Sequence, residues 1–275
     1  MTEIDPLPPG WRIYIDSRMD AVELFELAGG RAAVYSAPRP EKTSKNEDAA
    51  LLAVMGSESA VLGVADGAGG LLAGAEAARL AITHLARELA GPAPPEVPLH
   101  ERIRNGLLSA HDSIERMGVG AATTFAGIEI VRGEMRSVHA GDSMVLVIAA
   151  DGGRKHRTVA HSPVGYALEA GVLSEVEAIF HQDLHLVSNL LGVETPEIEV
   201  SAPLQLAPGD TVVIGSDGLF DNLLIDEIAE MVSSADLLSA AVGLVEETVR
   251  RMTRPAGDHP SKPDDLAFIL FRLEG

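Results

Sequence analysis

The chain contains no cysteine, which rules out disulfides, zinc–thiolate sites and cysteine nucleophiles. Basic residues are scarce. There are 21 Lys and Arg against 41 Asp and Glu, a formal net charge of -20 over 275 residues. Such a surface repels phosphodiester backbones, so nucleic acid is not an expected partner. Long apolar runs are missing too. The longest stretch free of Asp, Glu, Lys and Arg, residues 117–128, holds about a dozen residues, short of the ~18 needed to cross a bilayer. The opening MTEIDPLPPGW lacks the basic-then-apolar order of a secretory signal. A soluble, cytoplasmic protein with no membrane partner is expected, and the absence of cysteine fits a reducing compartment. The sequence also has no GK[ST] phosphate loop and no G-x-S-x-G elbow, so nucleotide hydrolysis and serine esterase chemistry lose their usual signatures.

What the sequence does hold is a core. Hydrophobic residues make up 46% of it, spread nearly end to end with charges mixed among them, as in a globular chain. Residues 11–15 (WRIYI) read as a short strand. Ser17 reads as the cap of a short helix through MDAVELFELA, ended by Gly29 and Gly30. RAAVYSA, LLAVMG and AVLGVAD read as strands. Residues 71–90 read as a helix, 91–98 as a proline-rich break, and 99–117 as a helix with Ile103, Leu107, Ala110 and Ile114 on one face. From residue 121 the period changes. TTFAGIEIV, EMRSVHA and MVLVIAA read as strands closed by tight turns at 132–133, 141–142 and 151–153. Residues 160–195 are mixed and polar, with short helical patches. A strand (TVVIG), a helix from 226, a longer helix at about 236–253 and a last strand (LAFILFRL) follow. Sequential hairpins with helix pairs between them predict an α+β fold, one domain over 1–275 with antiparallel sheets flanked by helices.

Two strands end alike. GVADGAGG (63–70) and VVIGSDGLFDN (212–222) each carry an apolar run into a lone carboxylate followed by glycine. A buried strand seldom ends in a carboxylate unless the charge meets water, a donor or a cation. Asp-Gly is also a common turn pair, and either site alone reads equally well as a turn. Two further acid pairs shift the balance: Glu47-Asp48 precede one strand and Asp264-Asp265 precede the last. Converging acids repel, so their meeting implies bound cations, and all-oxygen ligands favour magnesium or manganese. A glycine after the acid lets the backbone approach an ion and frees a carbonyl as ligand. Two ions about 3.5–4 Å apart activate water and clamp a phosphoryl group. The residues by themselves point to a dinuclear hydrolase.

The segments NED (46–48), VADGAGG (64–70), GAATTFAGIEI (120–130), VHAGDSMV (138–145), GSDGLFDN (215–222) and DDLAFIL (264–270), in that order, resemble the PPM-type (type 2C) metal-dependent serine/threonine protein phosphatases, most closely their bacterial members. HSPVGYALEAGVLSEVEA (161–178) is similar to that family's flap. The resemblance spans about 31–272, leaving 1–30 as an N-terminal extension and about 160–195 as flap. It implies a four-layer α-β-β-α sandwich, with a helix pair on the outer face of each of two antiparallel sheets. It also implies two divalent cations, Mn2+ or Mg2+. Asp66 would bridge both and the Gly67 carbonyl would bind one. Asp217 and Asp264 would hold the other. Glu47 and Asp48 would act through metal-bound waters, and Asp142 with Asp217 would hold a third, weaker ion. Asp66, Asp217 and Asp264 would thus hold a metal-bridging hydroxide as nucleophile, with no phosphoenzyme intermediate. The implied partner is a phosphorylated protein substrate, and a monomer is expected.

This chain departs from the family pattern in three places. Thr43 stands where the family usually has an arginine that grips the substrate phosphate. Lys42, Thr43 and Lys45 are the candidates for that task here, although lysine lacks the bidentate fork. Ala68 stands where many eukaryotic members carry a proposed general-acid histidine, and Met144 follows GDS where arginine is frequent. Two alternatives therefore stay open. One is a phosphatase-like module that binds a phosphoprotein and turns over slowly or not at all, and the other is a hydrolase of small phosphate esters. His181 and His185 have i,i+4 spacing but no evident third ligand, and read as a solvated or packed flap pair. His139 reads as an inward strand histidine satisfied by its neighbours.

Overall fold

A computed structural model describes residues 7–68, 73–92, 94, 96–255, 257 and 259–274. The first part of the chain runs β1 (Arg12–Ile15), β2 (Glu23–Leu27), β3 (Gly30–Ala37), β4 (Asp48–Gly56), β5 (Ser59–Ala68), α1 (Ala73–Ala90) and α2 (Leu99–Glu115). It continues through β6 (Ala122–Thr123), β7 (Phe125–Val131), β8 (Glu134–Ala140), β9 (Met144–Ile148) and β10 (Arg154–Arg157). The last part holds α3 (Pro163–Glu169), α4 (Glu175–Ile179), β11 (Glu199–Val200), β12 (Leu204–Gln205), β13 (Thr211–Gly215), α5 (Asp217–Phe220), α6 (Ile225–Ser234), α7 (Leu237–Thr253) and β14 (Leu266–Leu273).

The strands form two sheets with antiparallel pairing. One has the order β1-β4-β5-β7-β8-β11, with β6 beside β5 and β12 beside β8. The other has the order β10-β9-β13-β14-β3-β2. The central strands read as unbroken apolar runs because each feeds two cores at once. In β4, Ala49, Leu51 and Ala53 face α1 and α2, while Ala50 and Leu52 face the opposite sheet. In β13 and β14, Val213, Phe268 and Leu270 pack under α6 and α7, while Val212, Ile214, Ala267, Ile269 and Phe271 fill the space between the sheets. Alternation with a period of two sends successive side chains to opposite faces, and here both faces are covered. Three stacked cores of this kind make an α-β-β-α sandwich. Among the described residues, no helix is long and apolar enough to cross a membrane.

The N-terminal segment differs from its sequence pattern. The helix expected over MDAVELFELA is instead the edge strand β2, which pairs along β3 from Glu23↔Val34 to Leu27↔Gly30. Ala28 and Gly29 both have positive φ, 50° and 76°, which suits a two-residue turn whose twist matches the flanking strands. The glycines therefore close a hairpin, and pairing to an exposed sheet edge outweighs the local helix signal. Within the predicted flap, α3 and α4 start at Ser162 and Ser174, each of which caps its helix through its side chain. The segment is tied back by a bridge between Leu191 and Thr123.

Candidate metal centre

The acids converge where strands of both sheets end. Asp48 opens β4 and lies directly opposite Asp66 at the close of β5. Asp217 follows β13 and Asp264 precedes β14, its neighbour in the other sheet. Hydrogen bonds cross-link these ends. The Asp66 N–H donates to Thr124 Oγ1 at 3.1 Å, the Thr124 N–H donates to Asp66 O at 2.8 Å, and Thr123 Oγ1 donates to the same carbonyl at 2.8 Å. Thr124 Oγ1 meets Ser143 Oγ at 2.7 Å, beside Asp142. Ser216 joins the two sheets. Its hydroxyl donates to Asp48 Oδ2 at 2.7 Å and accepts the Ala267 N–H at 3.2 Å.

Both Asp-Gly glycines are required by close backbone approach. A Cβ on Gly67 would come within 2.1 Å of Gly74 O, and one on Gly74 within 2.5 Å of Gly67 O. A Cβ on Gly218 would lie 1.8 Å from Asp265 O. No side chain fits at these contacts, so the strand-to-helix turns press directly against the neighbouring acidic loops. Gly69 and Gly70 of the same motif lie outside the described residues.

The electrostatics are those of like charges crowded together. Burial, followed by the charges of Asp217, Asp48, Asp142 and Asp264, raises Asp66 well above the ordinary carboxylate range. Asp48 is 2% exposed. Burial and the charges of Asp265, Asp217 and Asp264 push it up, and the Ser216 hydroxyl pulls it part of the way back. Burial and Asp217 raise Asp142 to about 7 and Asp221 to about 8, with Lys262 opposing in both cases. Asp264 reaches about 6 for the same reasons. The donors are all oxygen: these carboxylates and the Gly67 carbonyl. Such a set, unfavourable in its charged form by itself, fits hard divalent cations. Among the described residues, the carboxylates do not close into a set with all ligand atoms within 4.8 Å.

Two lysines enter this region. Lys262 Nζ lies 2.5 Å from Asp217 Oδ2, 2.7 Å from Asp221 Oδ2 and 3.8 Å from Asp264 Oδ2. Burial disfavours its charge, but the Asp217 and Asp221 carboxylates outweigh burial and raise its pKa. Lys42 Nζ lies 2.6 Å from Asp265 Oδ2 and 2.8 Å from Glu47 Oε2. Asp265 also accepts the N–H groups of Glu47 at 2.7 Å and Arg39 at 3.0 Å. The Lys42 ammonium is therefore engaged by two carboxylates. Thr43 and Lys45 lie exposed in the same loop, with Lys45 3.8 Å from Asp16. Arg18 donates to the carbonyls of Lys42 and Ser44, one on each side of Thr43. No motif in the sequence marks Arg18 or Lys262, whose partners come from distant parts of the chain, and GSDGLFDN contains Ser216 and Asp221 without indicating their contacts.

A second cluster, His139, His161 and Glu199, does bring its ligand atoms within 4.8 Å. Three of its four ring nitrogens are already engaged. His139 Nε2 donates to Val159 O at 2.9 Å, and His161 Nδ1 accepts the Gly141 N–H at 3.2 Å and lies 2.6 Å from Asn189 Nδ2. His161 Nε2 thus carries the proton and faces Glu199 at 3.4 Å. His181 and His185 lie in turns, each with Nδ1 bonded to nearby backbone. Beside the acids lies a cavity of about 100 Å³, lined by Asp142, Asp217 and Asp221 together with Val164, Leu168, Ile179, Leu184 and Phe220.

Comparison with known proteins agrees with this fold. Residues 56–274 match the family model described as Stage II sporulation protein E (SpoIIE). The protein phosphatase PhpP of Streptococcus pneumoniae is 28% identical over 202 residues, 70% of this chain and 81% of PhpP. The PPM Ser-Thr phosphatase MsPP from Mycobacterium smegmatis, solved in complex with cacodylate, has a TM-score of 0.71 and 26% identity, covering 88% of this chain and 97% of its own. The catalytic domain of the serine/threonine protein phosphatase PstP, solved with two manganese ions, has a TM-score of 0.69 and 23% identity over 90% of this chain and 99% of its own. With the family model matched over most of its length and the same sandwich in its structural relatives, the chain belongs to the SpoIIE family and, with it, to the bacterial PPM-type protein phosphatases.

Proposed function

We propose that this phosphatase acts on phosphoserine and phosphothreonine in proteins and works with two divalent cations, manganese or magnesium, held at the acidic strand ends. One observation carries the reading: burial and neighbouring carboxylates, Asp217 among them in every case, raise the pKa of Asp48, Asp66, Asp142 and Asp264 in an oxygen-only pocket. Cations of that class would relieve the repulsion. Asp66, the Gly67 carbonyl, Asp217 and Asp264 would hold these cations directly, and Glu47 and Asp48 would act through water. The manganese ions in PstP and the phosphatase names of the relatives support the assignment.

When bound, the cations supply Lewis acidity toward the phosphoryl oxygens and lower the pKa of water for in-line attack on phosphorus. The protein's own contribution is placement. Ser216 fixes one oxygen of Asp48, and Asp265 fixes the backbone of Glu47. Lys42 locks the loop that carries Thr43 and Lys45, which lie exposed at the rim and meet the substrate phosphate. The leaving oxygen takes its proton from water, since Ala68 offers none. The apolar cavity under the flap takes a side chain adjacent to the phosphoresidue. The protein is a monomer in this reading, located in the cytoplasm.

A second reading, a phosphoprotein-binding module with little turnover, is favoured by the engagement of Lys42 with Glu47 and Asp265 and by the short hydroxyl at Thr43. The deciding assay follows phosphate release from p-nitrophenyl phosphate and from a phosphothreonine peptide in Mn2+, with D66A as control. Mn2+-dependent release from both, absent in D66A, supports the phosphatase. Wild-type activity no higher than D66A supports the module. Efficient turnover of small metabolite esters with none on peptide points to a small-ester hydrolase.

A further inference from the structure

Lys262 is anchored more firmly than its position before an exposed proline requires. Its backbone N–H donates to Asn222 Oδ1 at 2.8 Å, and Asn222 Nδ2 donates to its carbonyl at 2.8 Å. The Asn222 amide is fully buried and donates as well to Gly218 O at 2.9 Å. Arg251 Nη1 in turn donates to Asn222 O at 2.8 Å. This clamp fixes the Lys262 backbone beside α5, and Pro263 further restricts it. From there the ammonium takes Oδ2 of Asp217 and Oδ2 of Asp221 and leaves Oδ1 of Asp217 to other ligands. With the backbone already fixed, little further ordering is needed to hold the charge in place.

We propose that Lys262 is a resident cation of the centre: its ammonium takes the corner between Asp217 and Asp221 in place of a third metal ion, so that the site accepts two divalent ions where it would otherwise accept three. The proposal rests on the two-ion reading above. Geometry supports it. The ammonium already holds Oδ2 of both Asp217 and Asp221, the oxygens that a further ion in that corner would need. An ammonium and a divalent ion compete for the same carboxylate oxygens, and the tethered one is always present.

The test counts bound Mn2+ per chain by electron paramagnetic resonance of free Mn2+ during titration, on wild type, K262Q and K262R. Wild type and K262R bind two ions; K262Q binds three. After EDTA treatment, K262Q melts roughly 3–6 °C below wild type, and saturating Mn2+ closes the gap. Counting is done on protein kept in Mn2+ throughout, so a fold lost only in EDTA does not obscure the result. A count of two in K262Q, or of three in wild type, overturns the proposal. A wild-type count of zero overturns the two-ion reading and the proposal together.

Discussion

Lys42 and Lys262 make the same kind of contact and differ in what surrounds it. Each ammonium sits between two carboxylates, and each joins segments far apart in the chain. The Lys42 side chain is 6% exposed and its partner Asp265 is 3% exposed. Both oxygens of Asp265 are further occupied by backbone N–H groups. This is a closed network that ties the loop 39–47 to the start of β14. The Lys262 side chain is 32% exposed, and burial followed by the charge of Asp217 pushes up Asp142, Asp221 and Asp264 around it. One lysine completes its surroundings, and the other only partly offsets an excess of negative charge. A lysine–carboxylate contact is therefore structural where the remaining lone pairs are satisfied, and it marks a cation-binding region where they are not.

The sharpest way to break the comparison is to remove an acid from the acidic cluster and the ammonium from the closed network. D66N should lower Mn2+-dependent phosphatase activity by about 10³-fold. Its metal-free melting temperature should equal or exceed wild type, because one of the repelling charges is gone. A D66N protein that melts well below wild type in EDTA would contradict the electrostatic account. K42M should do the reverse. Leaving Asp265 buried without its cation should cost about 3–5 kcal/mol, read as a drop in melting temperature that Mn2+ does not restore. A loss fully rescued by Mn2+ would place Lys42 in the ion site.

The pH dependence sharpens the same contrast. Asp264, Asp142 and Asp221 have folded-state values of about 6, 7 and 8, above the usual ~3.9 of an unfolded Asp. The folded protein therefore binds more protons than the unfolded chain between those limits, and metal-free stability falls as pH rises from about 4 through 8. Thermal unfolding in EDTA across that range should show the decline, and Mn2+ should flatten or reverse it, since cations favour the ionised acids. A metal-free protein that gains stability over the same range would contradict the raised values. The smallest effect is expected at Arg18, whose exposed guanidinium braces the carbonyls on either side of Thr43. R18A should raise KM for phosphopeptide about 2–5-fold with kcat little changed. A fall in kcat alone would mean that the loop it braces serves chemistry and not binding.

The sandwich is largely legible in the sequence because its strands and helices announce themselves by period. Val212 to Gly215 and Leu266 to Phe271 are apolar throughout because both faces are covered. The segment from Met19 to Leu27 is not legible. Ser17 and the Gly29-Gly30 pair suit a helix cap and stop as well as they suit a hairpin, and only the partner strand β3 decides between them. In the candidate site, the Asp-Gly strand ends stand out because a carboxylate closing an apolar run is costly. The reason for the glycines needs coordinates: Gly67 meets Gly74, and Gly218 meets the Asp265 carbonyl. Lys262 carries no pattern at all. Its carboxylate partner Asp217 lies 45 residues away, and only the fold brings the two together.

The most direct test of the central claim is an anomalous difference map at the manganese edge from a crystal grown in Mn2+. The account predicts two peaks bounded by Asp66, Asp217 and Asp264, with the Lys262 ammonium beside Asp221. Peaks only at His139, His161 and Glu199, or none among the acidic strand ends, would contradict it.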